Sequence, residues 1–451
     1  MSTTKTRGKT PHRTRAPRRT VENAPMSPFH RRITTYSSGG PFLDGYILGI
    51  VGIAMTQMQP MLHLNSTWQG LIGGSALGGM FLGGAVFGYV TDLVGRRLMY
   101  TLDLWVIVIM SILQIFATNA PEIFVLRVIM GIAIGADYPI ATSLLAEFAP
   151  KRHRGTMLGL QIVAWYVGGT VAYLVGYLLV GLGPGAWRWM LASSAVPAFA
   201  LVILRHGTPE SPRWLMAHHR VDEARAVMNQ VFGPESELPP ANEKPVSFGL
   251  VFQDGYLRRT LFVSLFWLFQ IVPLFALGAF GPKILSSFGL ASGNAANLGS
   301  AAINFVFLIG CLPALRLVET VGRRPLIIWS FVFMTVGLAI VSVIAHPPLW
   351  MVMFGFVVYA LASGGPNVLD WIYPNELYPT RIRASAVGVA TSASRIGAFV
   401  GTFVLPFSLA AIGIRDTMLI ATVITIFGLF VSVLWAEETR GKTLAEASRP
   451  E

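Results

Sequence analysis

Arg127 and Asp137 stand ten residues apart in one apolar run, Arg127 to Gly155, whose length suffices to cross a bilayer. A charge facing lipid costs at least ~3 kcal/mol, so both side chains must face protein or water and are candidates for handling ions or substrate. Ten residues turn a helix through about 1000°, leaving the two roughly 80° apart around the axis and about 15 Å apart along it, so they can line one cavity at two depths. Asp44 and Arg395 also count roughly 15 to 17 Å in from the helix ends, near the midplane of a hydrocarbon core about 30 Å thick. A buried carboxylate whose distance to an arginine changes can load and release a proton. A guanidinium offers forked donors that match a carboxylate or phosphate. The first choice for proton coupling is therefore Asp137 and the second Asp44, with Arg395 as the anion contact. The structural alternatives are a static pair between Asp137 and an arginine, capping by Asp44 at a Gly39-Gly40-Pro41 break, and Arg395 as permanent partner of either acid. Arg127 counts nearer the outer side, where it can pair with an acid or guard the entrance. Asp103 and Asp370 count closer to the helix ends and are left outside the site. All eight histidines fall in loops, tails or helix ends, which leaves carboxylates to carry any proton.

The run that holds Arg127 and Asp137 ends in a charged cassette, Glu147, Pro150, Arg152 and Arg154, in which Lys151 and the arginines offset an anion at the unfavourable end of the helix dipole. The same spacing, E-x-x-P-x-R-x-R, recurs at Glu376, Pro379, Arg381 and Arg383, an offset of 229 (376 minus 147). Asp92-Leu-Val-Gly-Arg96-Arg97 recurs as Glu319-Thr-Val-Gly-Arg323-Arg324 at an offset of 227 (319 minus 92). The chain is two copies of one unit, the arrangement of a two-bundle transporter.

Composition agrees. Hydrophobic residues make up 53% of the chain and charged residues 12%, half the charged share of about 25% typical of a soluble domain. Apolar segments fall near 33–60, 68–90, 98–117, 121–147, 155–181 and 187–206, then near 258–281, 292–316, 325–345, 349–373, 384–411 and 415–436. The expected fold is thus an all-α membrane protein with twelve transmembrane helices in two pseudo-symmetric six-helix bundles, 33–206 and 258–436. A disordered basic tail (1–32), a linker with short helices (207–257) and a second tail (437–451) complete the chain. The net charge of +12 is explained by Lys and Arg gathered in the loops on the side of both termini, which places the termini in the cytoplasm and requires no nucleic acid. The single cysteine, Cys311, excludes an intramolecular disulfide. No Gly-x-x-x-x-Gly-Lys-Ser/Thr loop occurs, so the chain itself does not use ATP, and no catalytic constellation marks an enzyme.

Gly88-Tyr-Val-Thr-Asp-Leu-Val-Gly-Arg-Arg97 and its second copy resemble the loop motif of the major facilitator superfamily. The resemblance implies a charge network that latches the two halves, with Asp92, Arg96, Arg97, Glu147, Arg152, Arg154, Glu319, Arg323, Arg324, Glu376, Arg381 and Arg383 as gating residues. Pro209-Glu-Ser-Pro-Arg-Trp-Leu215 and Glu438-Thr-Arg-Gly-Lys-Thr-Leu444 are similar to motifs of sugar porters. The pocket departs from that pattern: Phe269 precedes Gln270, Phe275 replaces an amide, and Leu369 stands where a tryptophan follows Gly365-Pro366. Ser394-Arg395-Ile-Gly397 is similar to helix eleven of niacin, aromatic-acid and organic-anion carriers, and Gly135-Ala-Asp-Tyr-Pro139 to helix four of phosphate:proton symporters. Phe42-Leu-Asp-Gly-Tyr46 is similar to the first-helix motif of aromatic-acid:proton symporters, with Ile47 where a second acid is expected. By the same resemblance Gln161, Trp165, Tyr166, Trp267 and Gln270 lie on cavity-lining helices and, with Arg395 and Arg127, are the substrate-binding candidates.

The expectation is a monomeric secondary active transporter in the cell membrane, using a proton gradient and neither cofactor nor metal, that carries a small organic anion such as a carboxylate. The alternatives are a sugar or polyol:proton symporter, a proton-driven drug exporter, and a nutrient receptor that signals without transport.

Overall fold

The computed structural model describes residues 25–94, 96–150, 154–233, 236, 238, 251–253, 255–289, 294–344, 347–442 and 444–448. The first bundle comprises α1 (Pro28–Met61), α2 (Ser66–Val94), α3 (Arg96–Leu113), α4 (Ala120–Phe148), α5 (Arg154–Leu179) and a span made of α6 (Ala186–Ala192) and α7 (Ala195–Arg205). Two short helices, α8 (Pro212–Ala217) and α9 (Val221–Phe232), follow. The second bundle comprises α10 (Tyr256–Ser287), α11 (Asn294–Thr320), α12 (Arg323–Val343), α13 (Leu349–Glu376), α14 (Thr380–Ala411) and α15 (Gly413–Trp435), with α16 (Leu444–Ala447) after it. Among the described residues, ten segments are long and apolar enough to span a membrane; α2 and α4 are helices of 29 residues each. Large apolar side chains such as Leu178, Trp329 and Trp350 point outward, as a lipid-facing surface requires.

Helix α1 starts earlier than the apolar pattern alone places it. Pro28 takes the first helical position, and the Ser27 backbone N–H donates to His30 Nδ1 at 3.1 Å, so residues 28–32 belong to the helix and not to the tail. The helix also runs unbroken through Gly39-Gly40-Pro41, so Asp44 sits in mid-helix and caps nothing.

Close helix contacts rest on small residues. At Gly131 on α4 an added Cβ would lie 2.2 Å from the Ala76 carbonyl of α2, so any side chain there would force the two backbones apart. The halves meet where α2 packs on α14, α5 on α11 and α1 on α10. At the end away from the chain termini this seam is tied by Lys283 Nζ donating to Gln69 Oε1 at 2.6 Å and by the Tyr173 hydroxyl donating to the Gly278 carbonyl.

Candidate functional site

A cavity of about 70 Å³ lies between the bundles. From the first bundle it is lined by Pro41 and Asp44 of α1 and by Gln161, Trp165 and Tyr166 of α5. From the second come Trp267 and Phe275 of α10, Asn367, Asp370 and Trp371 of α13, and Ser394 and Arg395 of α14. Each set follows helical spacing: Pro41 and Asp44, Gln161 and Trp165, and Asn367, Asp370 and Trp371 fall three or four residues apart, on one face. Trp165, Tyr166, Leu274 and Phe275 also border a second void of about 40 Å³ that continues toward Tyr173 and Gly278. The Trp165 ring meets the Phe275 ring edge-on at 5.7 Å between centroids, so aromatic rings form the partition between the two voids.

Polar groups converge on the first cavity. Trp165 Nε1 donates to Asp44 Oδ2 at 2.9 Å, while Asp44 Oδ1 has no hydrogen-bond partner. The Arg395 guanidinium is near enough to act electrostatically on both Asp44 and Asp370. Asp370 Oδ1, Gln161 Nε2 and the Tyr166 hydroxyl are likewise buried without a partner. Gln270 stands behind the wall, its Nε2 donating to Asn367 Oδ1 at 3.0 Å, and so positions a lining amide without lining the cavity itself.

The sequence candidates therefore divide. Asp44, Arg395, Gln161, Trp165, Tyr166 and Trp267 are brought together. Asp370, set aside for its shallow count, joins them, because the cavity reaches along α13 and the face of a helix decides what lines it more than depth does. Asp137 is placed elsewhere. Arg205, at the end of α7, donates from Nη1 to Asp137 Oδ1 at 2.7 Å and from Nη2 to Oδ2 at 3.1 Å, with both residues buried. Sequence reasoning did not single out Arg205; its signal was a lone cation in the last turn of the apolar segment 187–206, from which a long side chain can fold inward. Arg127 does not line the cavity either: it is 1% exposed on α4, and its Nη2 donates weakly to the Ile47 carbonyl at 3.4 Å.

At the end of the bundle that carries the termini, Glu376 of the second cassette meets Glu319 and Arg323 of the second loop motif. Arg323 donates from Nη2 to Glu376 Oε1 at 2.8 Å and to Glu319 Oε1 at 3.2 Å, and from Nε to Glu376 Oε2 at 3.1 Å. Glu438 accepts the backbone N–H groups of Arg323 and Arg324 at 3.0 and 3.1 Å, capping α12 from a distant part of the chain. It can come that close because Gly322, at φ 108°, leaves room: a Cβ there would lie 2.6 Å from the Glu438 carboxylate. Burial pushes the Glu438 carboxyl up, but the backbone N–H groups of Arg440, Arg323 and Arg324 outweigh it and hold the group below its ordinary range, hence ionised. The Arg324 guanidinium reaches the Val433 carbonyl at 3.2 Å. All these ties lie within the second bundle, so they shape one half and do not bridge the two. The side chains of Asp92, Arg96, Arg97, Glu147, Arg154, Arg381 and Arg383, and the whole of Arg152, lie outside the described residues. Replacing Arg323 by Ala is expected to leave two glutamates without their cation, lowering stability by about 1–3 kcal/mol and slowing transport. Thermal unfolding in detergent together with initial uptake rates checks this; a variant matching the parent in both would remove the network from the mechanism.

Residues 33–450 match the family described as "Sugar (and other) transporter". The chain is 45% identical over 432 residues to YaaU of Escherichia coli (strain K12), a protein named for metabolite transport, covering 96% of this chain and 97% of that one. It is 37% identical over 431 residues to the inner membrane metabolite transport protein YgcS of the same organism, covering 95% and 96%. Among solved structures it resembles the xylose transporter XylE from E. coli in a partially occluded inward open conformation, with a TM-score of 0.80 at 21% identity over 92% of this chain and 100% of that one.

Proposed function

The chain belongs to the sugar (and other) transporter family of the major facilitator superfamily, and from that premise we propose that it is a proton-coupled importer of a neutral polyhydroxylated metabolite, a sugar or polyol. The cavity's unpaired polar atoms carry this reading. Asp44 and Asp370 offer carboxylate oxygens without donors, beside one free amide donor at Gln161 and a hydroxyl at Tyr166 that can do either. Acceptors of this kind are answered by a substrate rich in hydroxyl donors. Two carboxyl groups against the single guanidinium of Arg395 also leave the lining no spare cation for an anionic substrate. The indole and phenyl faces of Trp165, Trp267, Phe275 and Trp371 suit the C–H faces of a sugar ring. The organic anion favoured on the helix-eleven resemblance thus falls to second place, where the cavity position of Arg395 keeps it as a rival.

Asp44 is the proposed coupling acid, in place of Asp137. It sits on the cavity wall, carries one partnered and one unpartnered oxygen, and faces the Arg395 charge that a change of conformation would move. Asp137 has both oxygens engaged by Arg205. The basic loops place both termini in the cytoplasm in this reading.

Counterflow in proteoliposomes of the full chain separates the rivals. D-xylose, D-glucose, L-arabinose or myo-inositol is expected to exchange, benzoate, nicotinate and phosphate are not, and Arg395→Lys should retain measurable exchange of the neutral substrate. Exchange of a carboxylate but not of its amide, lost in Arg395→Lys, would overturn the neutral-substrate reading in favour of the anion.

A further inference from the structure

A second buried group of titratable residues lies outside the cavity and is unused by the transport reading. Arg205, Asp137 and Asp103 are 2%, 4% and 3% exposed. Four of the five N–H donors of Arg205 are engaged: besides the two bonds to Asp137, Nη1 reaches the Tyr100 carbonyl and Nε the Tyr36 carbonyl, each at 3.3 Å, and the guanidinium lies 3.7 Å over the Tyr100 ring. Asp103 follows Tyr100 by three residues on the same face of α3. Its Oδ1 accepts the Leu104 N–H at 2.7 Å, whereas Oδ2 is buried and no donor reaches it. What Asp103 does face, within hydrogen-bonding reach, is the carboxyl of Asp137.

Two ionised carboxylates cannot share such a place with one cation. The cluster would carry a net negative charge away from water, and Asp103 Oδ2 would meet another carboxylate with nothing between them. One proton resolves both faults: a protonated Asp103 donates to Asp137, Oδ2 gains its partner, and Asp137 with Arg205 remains a neutral pair. We propose that Asp103 is a second proton-binding site, its proton donated to the Asp137 carboxylate that Arg205 holds.

The neighbours set its reach. Tyr100, one turn before Asp103 on α3, turns its hydroxyl to Ser37 of α1 at 3.3 Å. On α1 the backbone at Gly40 presses on the site, since a Cβ there would lie 1.7 Å from Asp137 Oδ2 and 3.1 Å from Arg205 Nη2. The next residue, Pro41, lines the transport cavity, and Asp44, one turn on, is the nearest acid of the other site and feels the charge of Asp137. The proton held at Asp103 therefore sets the charge against the stretch of α1 that leads to Asp44. This inference stands apart from the identity of the substrate.

The experiment uses the full-length protein in detergent and reads the infrared C=O stretch of protonated carboxylic acids near neutral pH, along with melting temperature from about pH 5 to about pH 10. In Asp44→Asn/Asp370→Asn, where both cavity acids are amides, the band is expected to persist; its absence overturns the proposal. In Asp103→Asn, whose amide replaces the O–H donor to Asp137, the share of the band due to this site should disappear. The sign for stability follows from where the proton is bound. It is held in the folded protein and lost from an unfolded aspartate well below neutrality, so its contribution is present at low pH and falls as pH rises through the titration of the folded site. The alkaline fall in melting temperature should flatten in Asp103→Asn, and an unchanged fall would also overturn the assignment.

Discussion

Asp44→Asn is expected to abolish uphill accumulation while leaving exchange at equal concentrations intact. The amide keeps the size of the carboxyl, and its oxygen still accepts the Trp165 N–H that holds the side chain against α5 at 2.9 Å. What it loses is the ability to take up and release a proton, and with it the link between substrate movement and the membrane potential. One proton moving through 100 mV supplies about 2.3 kcal/mol, enough to hold a neutral substrate at roughly 50-fold accumulation. In the variant that ratio should collapse to about one. Accumulation and counterflow measured in the same vesicles make the test, with proton uptake followed by an entrapped pH dye. Should Asp44→Asn accumulate substrate like the parent while Asp137→Asn does not, coupling would belong to α4.

The second large effect concerns folding. Asp137→Asn or Arg205→Ala each leaves one charge of a buried bidentate pair without its partner, and the expected loss is about 3–5 kcal/mol, a large part of the stability of a typical domain. Either variant should give little folded protein and a lower melting temperature in detergent. The replacement of both by apolar residues of similar volume, Arg205→Met with Asp137→Leu, should recover much of that loss, because neither desolvated charge then remains. Equal melting of the parent and Asp137→Asn would mean that the pair contributes nothing to the fold and would return Asp137 to the list of mobile, functional acids.

These two residues mark where the sequence could be read and where it could not. Repeated cassettes, apolar run lengths and the depth of Asp44 and Arg395 are local properties, fixed by counting residues along a helix, and they led to the bundles and to two charges of the cavity. The face that a helix turns to each neighbour is set by packing between elements distant in sequence. Arg127 and Asp137 were read as able to line one cavity because about 80° separates them, yet Ile47 of α1 and Arg205 at the end of α7 supply their partners. Asp370 was passed over on depth, although its spacing with Asn367 and Trp371 already placed three polar or aromatic groups on one face. Arg205 pairs across 68 positions and Glu438 caps across 115, separations that no local periodicity encodes.

That cap has a consequence for biosynthesis. The N-terminal amides of α12 receive their acceptor from a residue that follows all the membrane helices, so they must wait while 115 further residues are added. At roughly 5–20 residues per second the wait is roughly 6 to 23 seconds, long after α12 itself has left the ribosome. Assembly at the turn between α11 and α12 is thus finished by a segment made after α15. Until then Arg323 has only Glu319 of α11 and, once α13 arrives, Glu376, and a ribosome that stalls within α15 leaves α12 in place with its first amides uncapped.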